Sequence, residues 1–259
     1  MLTKFLFNLI GRKTQIFFRD FGAVATLLRD ILLSLNRLWR DRALVLQQMH
    51  LIGVGSLPLV LVIGVFTGAV AALQAAYQFK GMMPNSFVGS AVSRAIFLEL
   101  GPVLTGIIIA GRVGASIAAE IGTMKVTEQL DALQVMSIPP TRFLAMPRFL
   151  AAITMLPVLV IFANAVALFG SFVVANSFLG VSAPTFFYSV QKYFILNDLI
   201  YGISKSVVFG GLTALLGCHI GFQTEGGAEG VGKSTIKAFV LSSASILVAD
   251  YVLWSLFFD

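Results

Sequence analysis

The sequence predicts an all-α integral membrane protein, with an N-terminal amphipathic helix lying in the membrane interface and five transmembrane helices after it. Three observations carry that prediction. Hydrophobic residues make up 58% of the chain and charged residues 12%, where ordinary soluble domains carry about a quarter charged, and the mean hydropathy is +0.92. Charge-free runs recur, the first from Leu51 to Phe79, long enough at about 1.5 Å per residue to cross a hydrocarbon core of about 30 Å with tilt. Basic residues collect outside those runs: eight of the eighteen Lys and Arg lie in the first fifty residues, where anionic headgroups attract them. The formal charge of +6 is thereby explained without a nucleic-acid partner, and none is expected.

Residues 1–48 are expected to form the interfacial region. Val24, Leu28, Ile31, Leu35 and Leu38 recur at the spacing of one helical face, while Arg29, Asp30, Arg37, Arg40 and Arg42 share the rest. A soluble helix packed on a partner is the alternative. The run from Phe5 to Ile10 is too short for a signal-peptide core, and Ala23-Val24-Ala25 follows the charged Arg19-Asp20, so no cleaved signal is expected. Residues 49–259 form the transmembrane domain.

The second span is placed at about 91–118, with Glu99 and Arg112 inside it, and the third after Arg148. The uncharged stretch from Phe149 to Gln191 is too long for one crossing. Its later part, with Gly170, Asn176, Gly180 and Pro184, then Phe186-Phe187-Tyr188 and Tyr193-Phe194, is expected to be an exit loop ending in an interfacial aromatic belt. The fourth and fifth spans fall at about 199–221 and 238–258. Lys125, Arg142 and Arg148 mark the 119–148 loop as cytoplasmic, and Lys233 and Lys237 do the same for 222–237. The N-terminus is then inside and the C-terminus outside. Gly64 and Gly68, and the series Gly106, Ala110, Gly114 and Ala118, are small residues at the spacing that lets helices approach closely.

Ionisable groups inside spans cost several kcal/mol unless paired or hydrated, which singles out Glu99, Arg112, Lys205 and Asp250. Glu99, Lys205 and Asp250 each fall about six to eight residues inside the outer ends of their spans, a shared depth of roughly 10 Å. They are candidates to line a polar substrate path, with Arg94 one and a half turns above Glu99. A charge pair that merely pins helices is the competing explanation. Arg112, nearer the cytoplasm, is expected to snorkel or bond carbonyls. No nucleophile-base pair and no set of metal ligands is visible, so neither a catalytic residue nor a metal site is expected. The single cysteine, Cys218, forms no internal disulfide.

Two cytoplasmic segments complete the reading. Gly227-Ala228-Glu229-Gly230-Val231-Gly232-Lys233-Ser234 matches GxxxxGK[ST] letter for letter. A phosphate-binding loop needs a preceding strand and an α/β sheet, whereas two spans flank this one, so a glycine-rich turn is expected. In the loop after the second span, Thr127 is a candidate N-cap for a short helix holding Glu128 and Asp131 in its first turn, with Pro139-Pro140 beyond it. Thr127, Glu128, Gln129, Leu130, Asp131 and Leu133 are the candidate contacts to another protein; an ordinary loop fits the spacing equally well.

Several of these segments together resemble a known family. Glu99-Leu100-Gly101-Pro102-Val103-Leu104, Ala110-Gly111-Arg112-Val113-Gly114, Ala119-Glu120-Ile121-Gly122-Thr123-Met124 and Thr127-Glu128-Gln129-Leu130-Asp131-Ala132-Leu133, then Pro147-Arg148, Lys205-Ser206-Val207-Val208-Phe209-Gly210, Gly226 to Gly232 and Asp250, resemble the MlaE family of ABC permeases in consistent order over about residues 50–258. The resemblance implies a permease in the bacterial inner membrane, working as a homodimer with two copies of a separate ATPase. ATP and magnesium would bind that ATPase, with no cofactor in this chain. It further implies a periplasmic MCE-domain lipid-binding protein, a STAS-domain subunit in many members, and phospholipid moved between inner and outer membranes. Leu98 stands where many members carry Arg, and Arg94 is the nearby candidate to replace it. The rival from another class is a stand-alone ion-coupled carrier titrating Glu99 and Asp250; a membrane-embedded enzyme is disfavoured.

Overall fold

A computed structural model describes the backbone of residues 2–80, 84 and 87–258, and the side chains of residues 15, 18–36, 39–80, 84 and 87–257. Among these residues every regular element is helical: α1 (Leu2–Ser34), α2 (Leu38–Met49), α3 (Gly55–Gln78), α4 (Val88–Ala95), α5 (Gly101–Ile109), α6 (Ala115–Val126), α7 (Gln129–Val135), α8 (Met146–Leu179), α9 (Ala183–Lys192), α10 (Leu196–Phe222) and α11 (Gly227–Phe258). Three π-helical turns, His50–Val54, Ile96–Leu100 and Ala110–Gly114, join consecutive helices into longer rods, and a fourth, Thr141–Ala145, leads into α8.

Five rods are long and apolar enough to cross a membrane: Trp39–Gln78, Val88–Val126, Thr141–Leu179, Leu196–Phe222 and Gly227–Phe257. Three of them run 39 or 40 residues, about 60 Å of helix and twice the hydrocarbon thickness. The predicted spans have the right number and order, and their limits are too short. Residues 39–48, assigned to the interfacial region, belong to the first long rod. Gly170 and Asn176, assigned to the exit loop, are inside α8, which stops only at Gly180, a residue in the left-handed region at φ +67°. Arg40 and Arg42 lie beyond the apolar run yet are good helix formers, and nothing obliges the backbone to change where polarity does. Phe186, Phe187 and Tyr188 sit on the short helix α9.

α1 turns the predicted face inward. Ile31 is fully buried, and Val24, Leu28 and Leu35 pack against the same core; the side chains of Arg37 and Leu38 lie outside the described residues. Arg29, Arg40 and Arg42 are exposed. Where α2 meets the entrance of the third rod, Arg142 donates from Nε and Nη2 to the two Asp41 oxygens at 2.8 and 2.9 Å, and the pair is 17% and 15% exposed. Asp41→Ala is expected to lower the stability of the protein, because it removes both acceptors of a two-pronged guanidinium. A thermal melt of the detergent-purified protein measures it. Glu229→Ala, which removes an equally short bond to Lys233 (2.7 Å) between side chains more than three-quarters exposed, should leave the melt unchanged.

The small residues sit at the helix seams. A Cβ on Gly68 would stand 1.8 Å from the Ala167 carbonyl oxygen, and one on Gly64 would be 3.1 Å from that of Ala163. The first and third rods therefore meet backbone to backbone. Gly106 packs on Phe209, and Gly114 on Thr213 and Ser242, so the second series faces α10 and α11.

Candidate functional site

Pro102 is where the site begins. It has no N–H to give to the carbonyl four residues back, and the rod accommodates it with the π-turn Ile96–Leu100. The Leu98 carbonyl, left without that intrahelical donor, accepts from Lys205 Nζ at 3.4 Å. α10 comes close enough for this because Gly202 has no side chain: a Cβ there would stand 2.1 Å from the Phe97 carbonyl oxygen. Gly101 makes the matching concession on the other side, where a Cβ would be 1.7 Å from Asn164 Oδ1.

Lys205 then reaches two carboxylates from different rods. Its ammonium donates to Glu99 Oε1 at 2.6 Å and lies 2.8 Å from Asp250 Oδ1. The Trp254 ring, one turn beyond Asp250, has its centroid 5.2 Å from Nζ, a range in which the ring's quadrupole attracts a cation. Three rods are thus tied at one ammonium. Lys205 is fully buried, whereas Asp250 is 20% and Glu99 36% exposed. The cluster presents carboxylate, not ammonium, to whatever enters beside it, and any direct contact with a ligand falls first to Glu99.

Arg94 does not join this cluster. Five residues at about 100° each turn it roughly 140° from Glu99, and its Nε bonds Asp198 at 3.1 Å. Asp198 is 6% exposed and Arg94 57%, so the acid is buried and the guanidinium remains largely accessible. The sequence reading missed Asp198, Trp254 and Asn164. Asp198 sits at the start of an apolar run and was open to the same depth argument as Lys205.

At the other end of the second rod the chain turns through Glu128, which holds a left-handed backbone at φ +60° and occupies the N-cap of α7. Thr127 does not cap α7: its hydroxyl donates back to the Thr123 carbonyl at 2.8 Å and accepts from Gln129 Nε2 at 2.9 Å. The preceding helix still engages Thr127, so the cap moves one residue on. α7 closes with Ser137 at φ +58°, its N–H on Gln134 O and that of Ile138 on Leu133 O, both 2.9 Å, the paired-bond helix stop usually built on glycine. Leu130 is buried and Leu133 half-buried; Thr127, Glu128, Gln129 and Asp131 are exposed, Asp131 lying 3.8 Å from Lys125. Val135 and Met136, which the sequence reading left out, project at 87% and 67% exposure. Apolar side chains standing free on a short, firmly closed helix form a knob.

The GxxxxGKS match is helical rather than a loop. After Gly226 and Gly227, at φ +88° and +64°, the segment is the first two turns of α11. Lys233 reaches back to Glu229, and Ser234 Oγ bonds Thr224 Oγ1 at 2.9 Å. The turn expected there is confined to the residues before Ala228.

Comparison with known proteins places this architecture. The model of the MlaE permease family matches residues 45–256, which include the cluster, α7 and both glycine series. The chain belongs to the MlaE permease family. A probable ABC transporter permease of Rickettsia typhi is 38% identical over 251 residues, 97% of each chain. The intermembrane phospholipid transport system permease protein MlaE of Haemophilus influenzae is 31% identical over 259 residues, covering 100% of this chain and 99% of its own. The chloroplastic protein Trigalactosyldiacylglycerol 1 of Arabidopsis thaliana is 36% identical over 221 residues, 85% of this chain and 62% of the plant protein. As an MlaE-family member the chain is a transport subunit, and its intramembrane charges belong to a permease.

Proposed function

We propose that this chain is the membrane half of a homodimeric ABC transporter that moves phospholipid between the inner and outer membranes of a bacterium. The observation that carries the reading is the end-to-end match to a permease whose name states intermembrane phospholipid transport. Two protomers enclose a lipid cavity on the outer side, beside Glu99 and Asp250, and an MCE-domain protein in the periplasm exchanges lipid with it. The N-terminus lies in the cytoplasm with α1 in the interface, and the C-terminus is periplasmic.

The chain hydrolyses nothing itself. A separate cytoplasmic ATPase binds ATP and magnesium and grips α7, with a STAS-domain subunit as a further partner. Val135 and Met136 supply the apolar contact, while Glu128, Gln129 and Asp131 form a polar rim around it. Closure of two ATPases would move the α7 knobs and, through the continuous second rod, the π-turn that carries Glu99. A rigid helix transmits such a displacement because packed elements have discrete arrangements.

Copurification from cells carrying the neighbouring transport genes tests this. Wild-type protein is expected to bring down an ATPase, and Val135→Asp with Met136→Asp to lose at least nine-tenths of it while keeping the same elution volume. Vesicles holding the wild-type complex should transfer phospholipid to an acceptor protein in an ATP-dependent way. A chain that purifies alone and moves ions with Glu99 and Asp250 intact would instead be the stand-alone carrier.

A further inference from the structure

A second polar site lies on the opposite side of the membrane from the cluster. Arg112 is thirteen residues after Glu99, about 20 Å along the rod, which sets it at the inner boundary of the hydrocarbon. It projects from the π-turn Ala110–Gly114, and its Nη1 donates to Ser56 Oγ just beyond the facing π-turn His50–Val54. Gly55 is shaped around it, since a Cβ there would stand 2.8 Å from Arg112 Nη2. π-turns mark functional positions more often than chance, and here two of them face each other across one guanidinium.

Among the described residues Arg112 has no acidic partner within ion-pair distance. Glu120, two turns on, is committed to Arg148 Nη2 at 2.8 Å and to the Ser116 hydroxyl at 3.0 Å. Arg112, Ser116 and Glu120 form an exposed polar stripe on a span, and with Gln48 they line a cavity of about 150 Å³. A cation in a span is unfavourable unless it is paired or hydrated. That cost is offset if an anion of the bilayer itself covers it.

We propose that Arg112, held in place by Ser56 and flanked by Ser116 and Gln48, binds the phosphate of a phospholipid headgroup from the cytoplasmic leaflet. The phosphate sits on the free edge of the guanidinium, the Gln48 amide gives a further donor, Ser116, whose hydroxyl donates to Glu120, lines the pocket beside them, and the acyl chains lie along the apolar faces of the first and second rods. A planar guanidinium suits two phosphate oxygens at once. The site is separate from the cavity beside Glu99 and does not depend on which lipid the transporter carries.

The test is photolabelling of the full-length protein in vesicles of phosphatidylethanolamine and phosphatidylglycerol carrying a trace of phospholipid with a photoactivatable headgroup. Peptide mapping is expected to place label on residues 48–56 and 112–116. Arg112→Gln should reduce it at least fivefold, Arg112→Lys less than threefold, and excess inorganic phosphate should not compete. Should Arg112→Gln fail to fold, Ser116→Leu and Gln48→Leu fill the cavity while keeping the charge and are expected to reduce labelling similarly. Unchanged labelling in these variants, or full competition by inorganic phosphate, overturns the lipid site. So does a disulfide between protomers at Ser116→Cys in place of labelling, which would give the stripe to a second copy of the chain. Lipid transfer driven by ATP is read separately, so failure here leaves the transport proposal intact.

Discussion

Lys205→Met is expected to cost more than any other single side-chain truncation in the protein. The substitution leaves Glu99 and Asp250, on two different spans, with their shared ammonium gone. Breaking a buried pair by removing one partner costs about 3–5 kcal/mol, and here two carboxylates lose the same partner while the Leu98 carbonyl loses its donor. Folded yield by fluorescence-detected size exclusion should fall more than tenfold. Neutralising both acids in the same chain, with Glu99→Gln and Asp250→Asn, should restore much of that yield, because the penalty lies in unpaired charge. A yield that stays low in the triple variant would mean that Lys205 holds the rods by packing alone. Asp250→Asn by itself should cost less, since Glu99 keeps Lys205 paired at 2.6 Å.

That contrast also bears on what the cluster does in transport. An ammonium with no exposed surface cannot meet a headgroup unless the rods separate. In the arrangement seen, Glu99 is the accessible member, so Glu99→Gln should alter lipid transfer with little loss of folded protein. The same expectation separates a path residue from a pin. A pure pin would lose stability and transfer together.

The cluster was legible in the sequence because ionisable residues in apolar runs are few and their depth follows from counting. The partner of Arg94 was missed: five residues place Arg94 on the wrong face for Glu99, and the depth count that found Lys205 also applied to Asp198. The five rods were legible from composition, but their ends were not. A change from apolar to charged residues marks where lipid stops, while a helix stops only where the backbone is given another conformation, as at Gly180 or Ser137. The π-turns left little trace. Pro102 explains one of them, and Pro147 stands at the same spacing after Thr141–Ala145; nothing local marks the other two. The cap of α7 failed for a similar reason: Thr127 has the right side chain, but its hydroxyl was claimed by the helix before it.

Gly202→Val is expected to abolish transport without altering a single charge. Gly202 faces the Phe97 carbonyl, with room for a Cα–H contact and nothing larger. A Cβ at 2.1 Å from that oxygen and 3.1 Å from Pro102 Cγ cannot be relieved by a rotamer change, because the first obstacle is backbone. α10 must move away by roughly the thickness of a methyl group, about 1–2 Å, and overpacking of this kind costs typically about 1–3 kcal/mol. The larger consequence falls on Lys205, three residues along, whose bonds to Leu98 and Glu99 would open beyond hydrogen-bond range. Lipid transfer should drop at least tenfold while the protein still elutes as one species. Gly232→Ala is the matched control, since nothing lies within 4 Å of a Cβ there, and it should transfer lipid normally. If Gly202→Val transfers lipid like the wild type, the close approach of α10 to the π-turn does not set the cluster, and Lys205 must be held in place by Asp250 and Trp254 alone.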